Sequence, residues 1–192
     1  MADRYGSVSE LMRHHGEGVD YSIEAVQRGS RVAVIAPHGG RIEPMTGEIA
    51  EAVAGEEHSF YAFRGLMQDA FATLHVTSTR FDEPRCLALL ASSEIVVAIH
   101  GLAQGDAALL GGRDRAMRDS VVVELTRAGF TARAVDSGPF SATDPANICN
   151  RGGSKAGVQI ELPRAVRDEL RDSTEYFTTF VTAVRAAIGN PR

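Results

Sequence analysis

Compact apolar runs alternate along this chain with segments whose apolar positions recur at helical spacing. The strongest runs are Arg31–Pro37 and Glu94–Ile99, which are rich in β-branched residues and predict buried strands. Three further runs predict strands of the same kind: Ala72–Ser78, Thr131–Val135 and Gly157–Leu162. Because helical segments lie between these runs, the pattern indicates strands and helices that follow one another in turn.

The segments between the strands have the features of helices. A helix is expected from Pro44 to about Ala54 and another over Pro84–Ala91, because the first helical turn tolerates proline well. Arg113–Gly129 carries apolar residues at helical spacing and ends at a glycine. Asp172 and Glu175 form a capping-box pattern, which predicts a C-terminal amphipathic helix that starts there.

Alternating strands and helices predict an α/β fold in which helices flank a mixed or mostly parallel sheet. We expect a single domain over residues 26–192, preceded by an N-terminal segment over residues 1–25. A loop is expected from residue 136 to about residue 155, where glycine and proline recur. Since ligands bind beyond the carboxyl ends of strands in such folds, those ends are where catalytic residues are sought.

Composition and charge exclude several classes of protein. A net charge of −5 provides no basic footprint for nucleic acid, and no apolar run reaches the ~18 residues that span a membrane. The polar N-terminus lacks the apolar region of a signal peptide, so we expect a cytoplasmic protein that leaves the cell only by a route such as lysis. We also expect a monomer. Two cysteines, Cys86 and Cys149, are too few for a disulfide framework. One disulfide between them is the alternative to the two free or buried thiols that we expect.

Two of the six histidines lie where the fold places its ligands. His38 directly follows the first strong strand and His100 the second, and each precedes glycine. A single histidine after a strand is more often a polar loop residue, and Glu43 can also be the charge that begins a helix. Two histidines and one glutamate that leave one position open are, however, the usual ligands of a catalytic zinc ion. The sequence therefore indicates a zinc site formed by His38, Glu43 and His100.

A second carboxylate lies in the last predicted strand, where side chains alternate between the two faces of the sheet. Gln159 and Glu161 share one face, opposite the apolar residues of that strand. A glutamate in so apolar a strand either faces solvent, pairs with a cation, or acts as a general base in an active site. His75 lies within a strand candidate, where it either orients a ligand or is a structural histidine.

Cationic residues are concentrated in the long loop, whose glycine-rich sequence suits an anionic substrate. The alternative is an ordinary mobile surface loop. Arg80 is a further candidate for substrate binding, and its alternative role is an ion pair with Asp82 or Glu83. The candidate substrate-binding residues of the loop are Asn150, Arg151 and Lys155.

Several motifs occur in an order that resembles one known family. They are APHGGRIEP, HVTSTRFDEPRC, AIHG, the pair Gly111-Gly112, and NICNRGGSKAGVQIELPR. Together they cover the chain from about Val32 to Arg167 and resemble the poly-γ-glutamate hydrolases of phages and some bacteria. The order of several motifs is far more specific than any one of them.

The resemblance implies a zinc-dependent enzyme whose core is similar to carboxypeptidase A and the N-acyl amino acid deacylases. It implies that His38, Glu43 and His100 hold zinc and that Glu161 is the general base. The implied substrate is a polyanionic glutamyl polymer or peptide, cleaved at γ-glutamyl amide bonds and bound in part by Arg151 and Arg80. Two alternatives remain: a deacylase of small N-acyl or γ-glutamyl amino acids, and a protein that binds glutamyl polymer without cleaving it.

Overall fold

The computed structural model describes residues 3–189, which form one mixed sheet of seven strands with helices on both faces. The strands are β1 (Tyr21–Val26), β2 (Val32–Gly40), β3 (Ser59–Gly65), β4 (Ile95–Leu102), β5 (Ala108–Gly112), β6 (Ala132–Ala134) and β7 (Val158–Pro163). The helices are α1 (Val8–Leu11), α2 (Thr46–Ala54), α3 (Ala70–Leu74), α4 (Pro84–Ala91), α5 (Arg115–Arg127), α6 (Arg164–Asp172) and α7 (Thr174–Ile188). Short 3-10 turns lie at Ser78–Arg80 and Ile148–Asn150.

The strands follow the order β1-β3-β2-β4-β7-β5-β6 across the sheet. The four central strands, β3, β2, β4 and β7, are mutually parallel. β1 runs antiparallel to β3, and β5 runs antiparallel to β7. The expected α/β fold with a mixed, mostly parallel sheet is therefore confirmed, and the carboxyl ends of the parallel strands meet at one edge.

Each face of the sheet is covered by its own hydrophobic core. On one face, Val97, Ile99 and Ile160 pack with Val121 of α5 and Phe180 of α7. On the other face, strand residues pack with the shorter helices, and the members include Ala33, Ile35, Ala98, Val8, Leu11, Leu89 and Leu90. The alternation of strand side chains thus separates the two cores, as expected for a sheet covered on both faces.

Some elements differ from those that the sequence predicts. Ala72–Ser78 is not a strand: α3 ends at Leu74, and an irregular segment leads to the 3-10 turn at Ser78–Arg80. Tertiary contacts override the strand propensity of the β-branched residues in this segment. One such contact is the hydrogen bond that the backbone N–H of Thr77 donates to the carboxylate of Asp3. Strands β1, β3 and β5 were not predicted.

The capping-box pattern is also placed differently in the structure. Asp172 is the last residue of the separate helix α6. Ser173 caps α7, and its hydroxyl accepts from the backbone N–H of Tyr176 at 3.2 Å. Ser173 rather than Asp172 is the cap because a serine between two helices can accept a hydrogen bond from a free backbone N–H at the start of the second helix.

The N-terminal residues take part in the same structure. Val8 and Leu11 of α1 are buried, and Tyr21 of β1 stacks on Phe63 at 4.7 Å between ring centroids. β1 crosses the boundary expected after residue 25, and that division into segments stays a prediction. Within residues 3–189, no helix has both the length and the apolar character that crossing a bilayer requires.

Candidate functional site

His38 is placed by an irregularity near the carboxyl end of β2. The register between β2 and β3 shifts between Ala36 and Gly39, so that β2 carries an extra residue there. Bulges of this kind redirect side chains and are frequent beside active sites. The ladder between β2 and β4 already ends at the pair of Ile35 and Ala98. The two strands therefore separate before His38, which leaves space for a cluster of side chains between them.

His100 and Glu161 occupy paired positions on the neighbouring strands β4 and β7. Paired positions on adjacent strands point to the same face, so both side chains face the same space as His38. The side chain of Gln159 lies on that face too, and its amide donates to Glu161 Oε1 at 2.7 Å. Asn147 in turn donates to Gln159 Oε1 at 3.1 Å. One oxygen of the Glu161 carboxylate is thus held in place by a chain of two amides.

The buried side chains of His38, Glu43 and His100 converge at one point. His38 Nδ1 lies 3.2 Å from His100 Nδ1 and 3.4 Å from Glu43 Oε1. His100 Nδ1 lies 3.7 Å from Glu43 Oε2. The other ring nitrogen of His38, Nε2, forms a hydrogen bond with the carbonyl oxygen of Val76 at 2.8 Å. Since that nitrogen must carry the hydrogen, Nδ1 of the neutral ring directs its lone pair at the cluster.

His75 borders the same cluster and is positioned by a carboxylate from the N-terminus. Its Nδ1 lies 2.8 Å from Asp3 Oδ1, and its Nε2 lies 3.9 Å from Glu43 Oε1. The other oxygen of Asp3 accepts from the backbone of Thr77 and from Arg80. An ionised carboxylate only accepts, so the His75 hydrogen is on Nδ1 and the lone pair of Nε2 faces the site.

Burial and the facing charges shift the pKa values of these groups. Burial alone would raise the pKa of Glu43, but His38 and His100 hold it well below its usual range. Burial would lower the pKa of His38, and the Glu43 carboxylate raises it. Burial, together with the facing His38, lowers the pKa of His75 to about 4. Burial raises the pKa of Glu161, which His100 offsets only in part. Because the two shifts have opposite directions, Glu161 is better suited than Glu43 to accept a proton.

All of these side chains line a cavity of about 300 Å³. One wall is formed by the loop that carries Pro139 and Phe140, which crosses the sheet at Gly111. A β-carbon at Gly111 would come within 2.3 Å of the Phe140 carbonyl oxygen, so only glycine allows this crossing. The remaining polar lining consists of hydroxyl and amide groups: Thr77, Ser78, Thr79, Asn147 and Gln159.

The donor set fits a zinc ion. Ligand atoms about 2.0–2.1 Å from a tetrahedral zinc lie about 3.3 Å apart. His38 Nδ1 lies 3.2 Å from His100 Nδ1 and 3.4 Å from Glu43 Oε1, and His100 Nδ1 lies 3.7 Å from the other carboxylate oxygen, Glu43 Oε2. These separations are close to that spacing. His38, Glu43 and His75 also present ligand atoms that all lie within 4.8 Å of one another. Two imidazoles and a carboxylate, with a third imidazole at the edge, are a typical ligand set for zinc.

Comparison with known proteins assigns the family. The sequence profile of the Poly-gamma-glutamate hydrolase family matches residues 5–183. The chain belongs to this family. The chain is 35% identical to the protein YndL of Bacillus subtilis over 192 residues, which cover 99% of this chain and 73% of YndL. It is 34% identical to the prophage-derived protein YoqZ of the same organism, over 98% of this chain and 67% of YoqZ.

Solved structures agree with the family. A bacteriophage poly-γ-glutamate hydrolase superposes with a TM-score of 0.92 at 32% identity, over 97% of this chain and 96% of that one. A zinc-free form of YndL superposes with a TM-score of 0.91 at 32% identity, over 97% and 98% of the two chains. An N-formylglutamate amidohydrolase from Ralstonia eutropha, with a TM-score of 0.55 at 14% identity over 88% and 95% of the two chains, shares the fold.

The remaining residues expected from the sequence lie outside the lining of the cavity. Arg80 is paired with Asp3 rather than with the acidic residues that follow it. Arg151 donates to the carbonyl of Phe81 at 3.3 Å. Asn150 is buried, and its amide donates to the backbone of the 136–155 loop. Lys155 borders a separate depression together with Asn150 and Arg151. Their roles in substrate binding stay predictions.

Proposed function

We propose that this protein is a zinc-dependent hydrolase of γ-glutamyl amide bonds, with poly-γ-glutamate as its substrate. The observation that carries the proposal is the convergence of His38, Glu43 and His100 beside the buried carboxylate of Glu161, in a cavity of about 300 Å³. Membership of the family and the zinc-free form of YndL support it independently. We also propose that the protein is a monomer.

In this proposal His38, Glu43 and His100 hold the zinc ion. The ion, when bound, would polarise the scissile carbonyl and lower the pKa of a water molecule at its open position. His75 has the more exposed ring, with 25% of its side chain accessible against 2% for His38. We therefore place His75 on the substrate side of the cluster, where the lone pair of Nε2 can accept a hydrogen bond from substrate or water.

Glu161 is the proposed general base. Its Oε1 is occupied by the amide of Gln159, which leaves Oε2 to take a proton from the attacking water and return it to the departing nitrogen. A pKa above its usual range, caused by burial, suits Glu161 to both accept and donate a proton. The chain of amides from Asn147 through Gln159 holds this carboxylate in one orientation.

The glutamyl carboxylates require hydrogen-bond donors, and the cavity offers mostly neutral ones. The hydroxyl groups of Thr77, Ser78 and Thr79 line one side of it. We propose that these groups bind the glutamyl unit at the scissile bond. Arg80 and Arg151, with Asn150 and Lys155, stay proposed contacts for parts of the polymer outside the cavity.

The experiment that tests the proposed function is digestion of poly-γ-glutamate by the purified protein, followed by size-exclusion chromatography. Wild-type protein is expected to shorten the polymer, and a chelator of zinc is expected to stop it. Glu161→Gln is expected to retain zinc and lose turnover, whereas the control Glu94→Gln, at an exposed ion pair with Arg31, is expected to cleave normally. Normal cleavage by Glu161→Gln would refute the assignment of the base.

A second candidate is a hydrolase of short γ-glutamyl peptides, which the size of the cavity favours. About 300 Å³ lies at the lower end of the ~300–1,000 Å³ of ligand sites. A series of γ-glutamyl oligomers of increasing length separates the two candidates. A kcat/KM that rises with length supports the polymer, and one that is highest for the dipeptide supports the second candidate.

A further inference from the structure

Arg167 is a buried arginine in α6 that lies beneath the proposed metal site. Only 4% of its surface is exposed. Its guanidinium group donates to three backbone carbonyl oxygens: Leu162 at 3.0 Å, Pro44 at 2.5 Å and Leu102 at 3.1 Å. Its hydrogen bonds thus go to backbone carbonyls rather than to a carboxylate partner.

Each of the three carbonyls belongs to a residue that lies one or two positions after a residue of the site. Pro44 follows Glu43, Leu162 follows Glu161, and Leu102 lies at the end of β4, two residues after His100. The three segments are far apart in the chain. The guanidinium group of Arg167 therefore connects the backbone segments that carry Glu43, His100 and Glu161. The first two are proposed zinc ligands, and the third is the proposed base.

The sheet itself does not make all of these connections. β4 and β7 remain paired as far as Leu102 and Pro163, so His100 and Glu161 are joined by the strand ladder. The ladder between β2 and β4, in contrast, ends at Ile35 and Ala98. Beyond that pair, the hydrogen bonds of Arg167 link the turn that carries Glu43 to strands β4 and β7.

Gly101 makes room for this guanidinium. A β-carbon at Gly101 would lie 2.7 Å from Cζ and 2.9 Å from Nε of Arg167. The φ angle of Gly101 is not positive, so its backbone conformation does not require glycine. The glycine that follows His100 is therefore explained by the close approach of Arg167. The backbone N–H of Gly101 also donates to Glu43 Oε2 at 2.8 Å.

We propose that Arg167 is a positioning residue that fixes Glu43 relative to His100 and Glu161, and thereby sets metal affinity and turnover. The proposal rests on the proposed function. The planar guanidinium presents several N–H groups in a fixed arrangement, which a lysine at this position cannot reproduce.

The test compares Arg167→Lys with a matched control, Arg185→Lys. Arg185 also bonds to a backbone carbonyl, that of Val53 at 2.9 Å, and to Glu57, but it lies on α7 outside the cavity. Zinc affinity is measured by competition with a chelator, kcat and KM by cleavage of poly-γ-glutamate, and folding by thermal unfolding of the zinc-free proteins.

We expect Arg167→Lys to bind zinc about 10–100-fold more weakly than wild type, because groups that orient metal ligands have effects of this size. Its kcat is expected to fall more than its KM changes, and Arg185→Lys is expected to retain wild-type zinc affinity. Zinc affinity and kcat of a folded Arg167→Lys within about twofold of wild type would overturn the proposal.

If Arg167→Lys fails to fold, Gly101→Ala provides the second test. The added β-carbon is expected to displace the guanidinium group, while the positive charge of Arg167 remains in the protein. The same loss of zinc affinity is expected, and unchanged affinity would overturn the proposal. Wild-type protein that binds zinc but does not cleave the polymer would refute the proposed function, while the zinc comparison still decides the role of Arg167. Wild-type protein that binds no zinc would refute both.

Discussion

Replacing Asp3 with asparagine should destabilise the protein by an amount that depends on pH. The Asp3 side chain is only 4% exposed and accepts hydrogen bonds from the backbone of Thr77 and from His75, each at 2.8 Å. It also pairs with Arg80. An asparagine at this position has one accepting oxygen, so it cannot satisfy all three donors.

The magnitude follows from the pKa of Asp3. Burial would raise this pKa, but the hydrogen bonds of Thr77 and His75 lower it from 3.8 to about 2. A folded-state pKa below the unfolded value stabilises the protein above the unfolded pKa, and that contribution is lost as the pH falls through the folded pKa. The difference between 3.8 and about 2 corresponds to about 2 kcal/mol.

The assay is urea unfolding of zinc-free wild-type and Asp3→Asn protein between pH 7 and pH 3. The difference in the free energy of unfolding is expected to be about 2 kcal/mol at neutral pH and to shrink as the pH falls from about 4 towards about 2. Asp82→Asn is the control, because Asp82 accepts from the backbone of Ser9 at 2.8 Å and does not line the cavity. Asp82→Asn should lower the free energy of unfolding and leave kcat unchanged. Asp3→Asn should lower both the free energy of unfolding and kcat. A difference for Asp3→Asn that does not change with pH would refute the reasoning.

Three further predictions concern other parts of the molecule. Gln159→Leu removes the donor to Glu161, and since hydrogen bonds to charged groups contribute about 1.5–3 kcal/mol, kcat is expected to fall about 10–100-fold with zinc content unchanged. Unchanged kcat would contradict the role of this amide. Phe180→Ala, in the core between α7 and the sheet, should lower the free energy of unfolding by about 3–5 kcal/mol in urea. Burial raises the pKa of the free thiols of Cys86 and Cys149, the latter to about 12, so a thiol reagent should label them only after unfolding.

Three of the four central strands could be predicted from the sequence, because each is buried on both faces and appears as a continuous apolar run. β2, β4 and β7 are strands of this kind. β1 and β5, at and near the edges, give weaker signals, since only the first residue of β1 is buried and β5 ends in two glycines. For the segment Ala72–Ser78 the sequence predicts a strand that the structure does not contain. Its β-branched residues include Thr77, which lies in a loop and whose backbone N–H donates to Asp3.

The position of the site could be predicted in part. His38 and His100 follow predicted strands, and the rule that ligands bind at strand ends is sufficient to select them. His75 could not be selected in this way, because its place depends on Asp3, a contact across 72 positions of the chain. Arg167 could not be selected either, because its hydrogen bonds go to backbone carbonyls, and the sequence carries no pattern for such contacts.

The charge of the cavity leads to a last prediction about substrate binding. Among residues 3–189, no lysine or arginine side chain lines the cavity, and the buried carboxylates of Glu43 and Glu161 lie within it. An anionic glutamyl substrate would be repelled from such a cavity unless a bound metal ion supplied positive charge.

Removal of zinc should therefore weaken substrate binding as well as stop turnover. The measurement is calorimetric titration of a short γ-glutamyl oligomer into Glu161→Gln, with zinc and after chelation. The affinity is expected to fall at least about tenfold without the metal, which corresponds to about 1.4 kcal/mol. Equal affinity in both states would show that cations outside the cavity, such as Arg80 and Arg151, provide the attraction. Metal loading would then govern the chemical step alone.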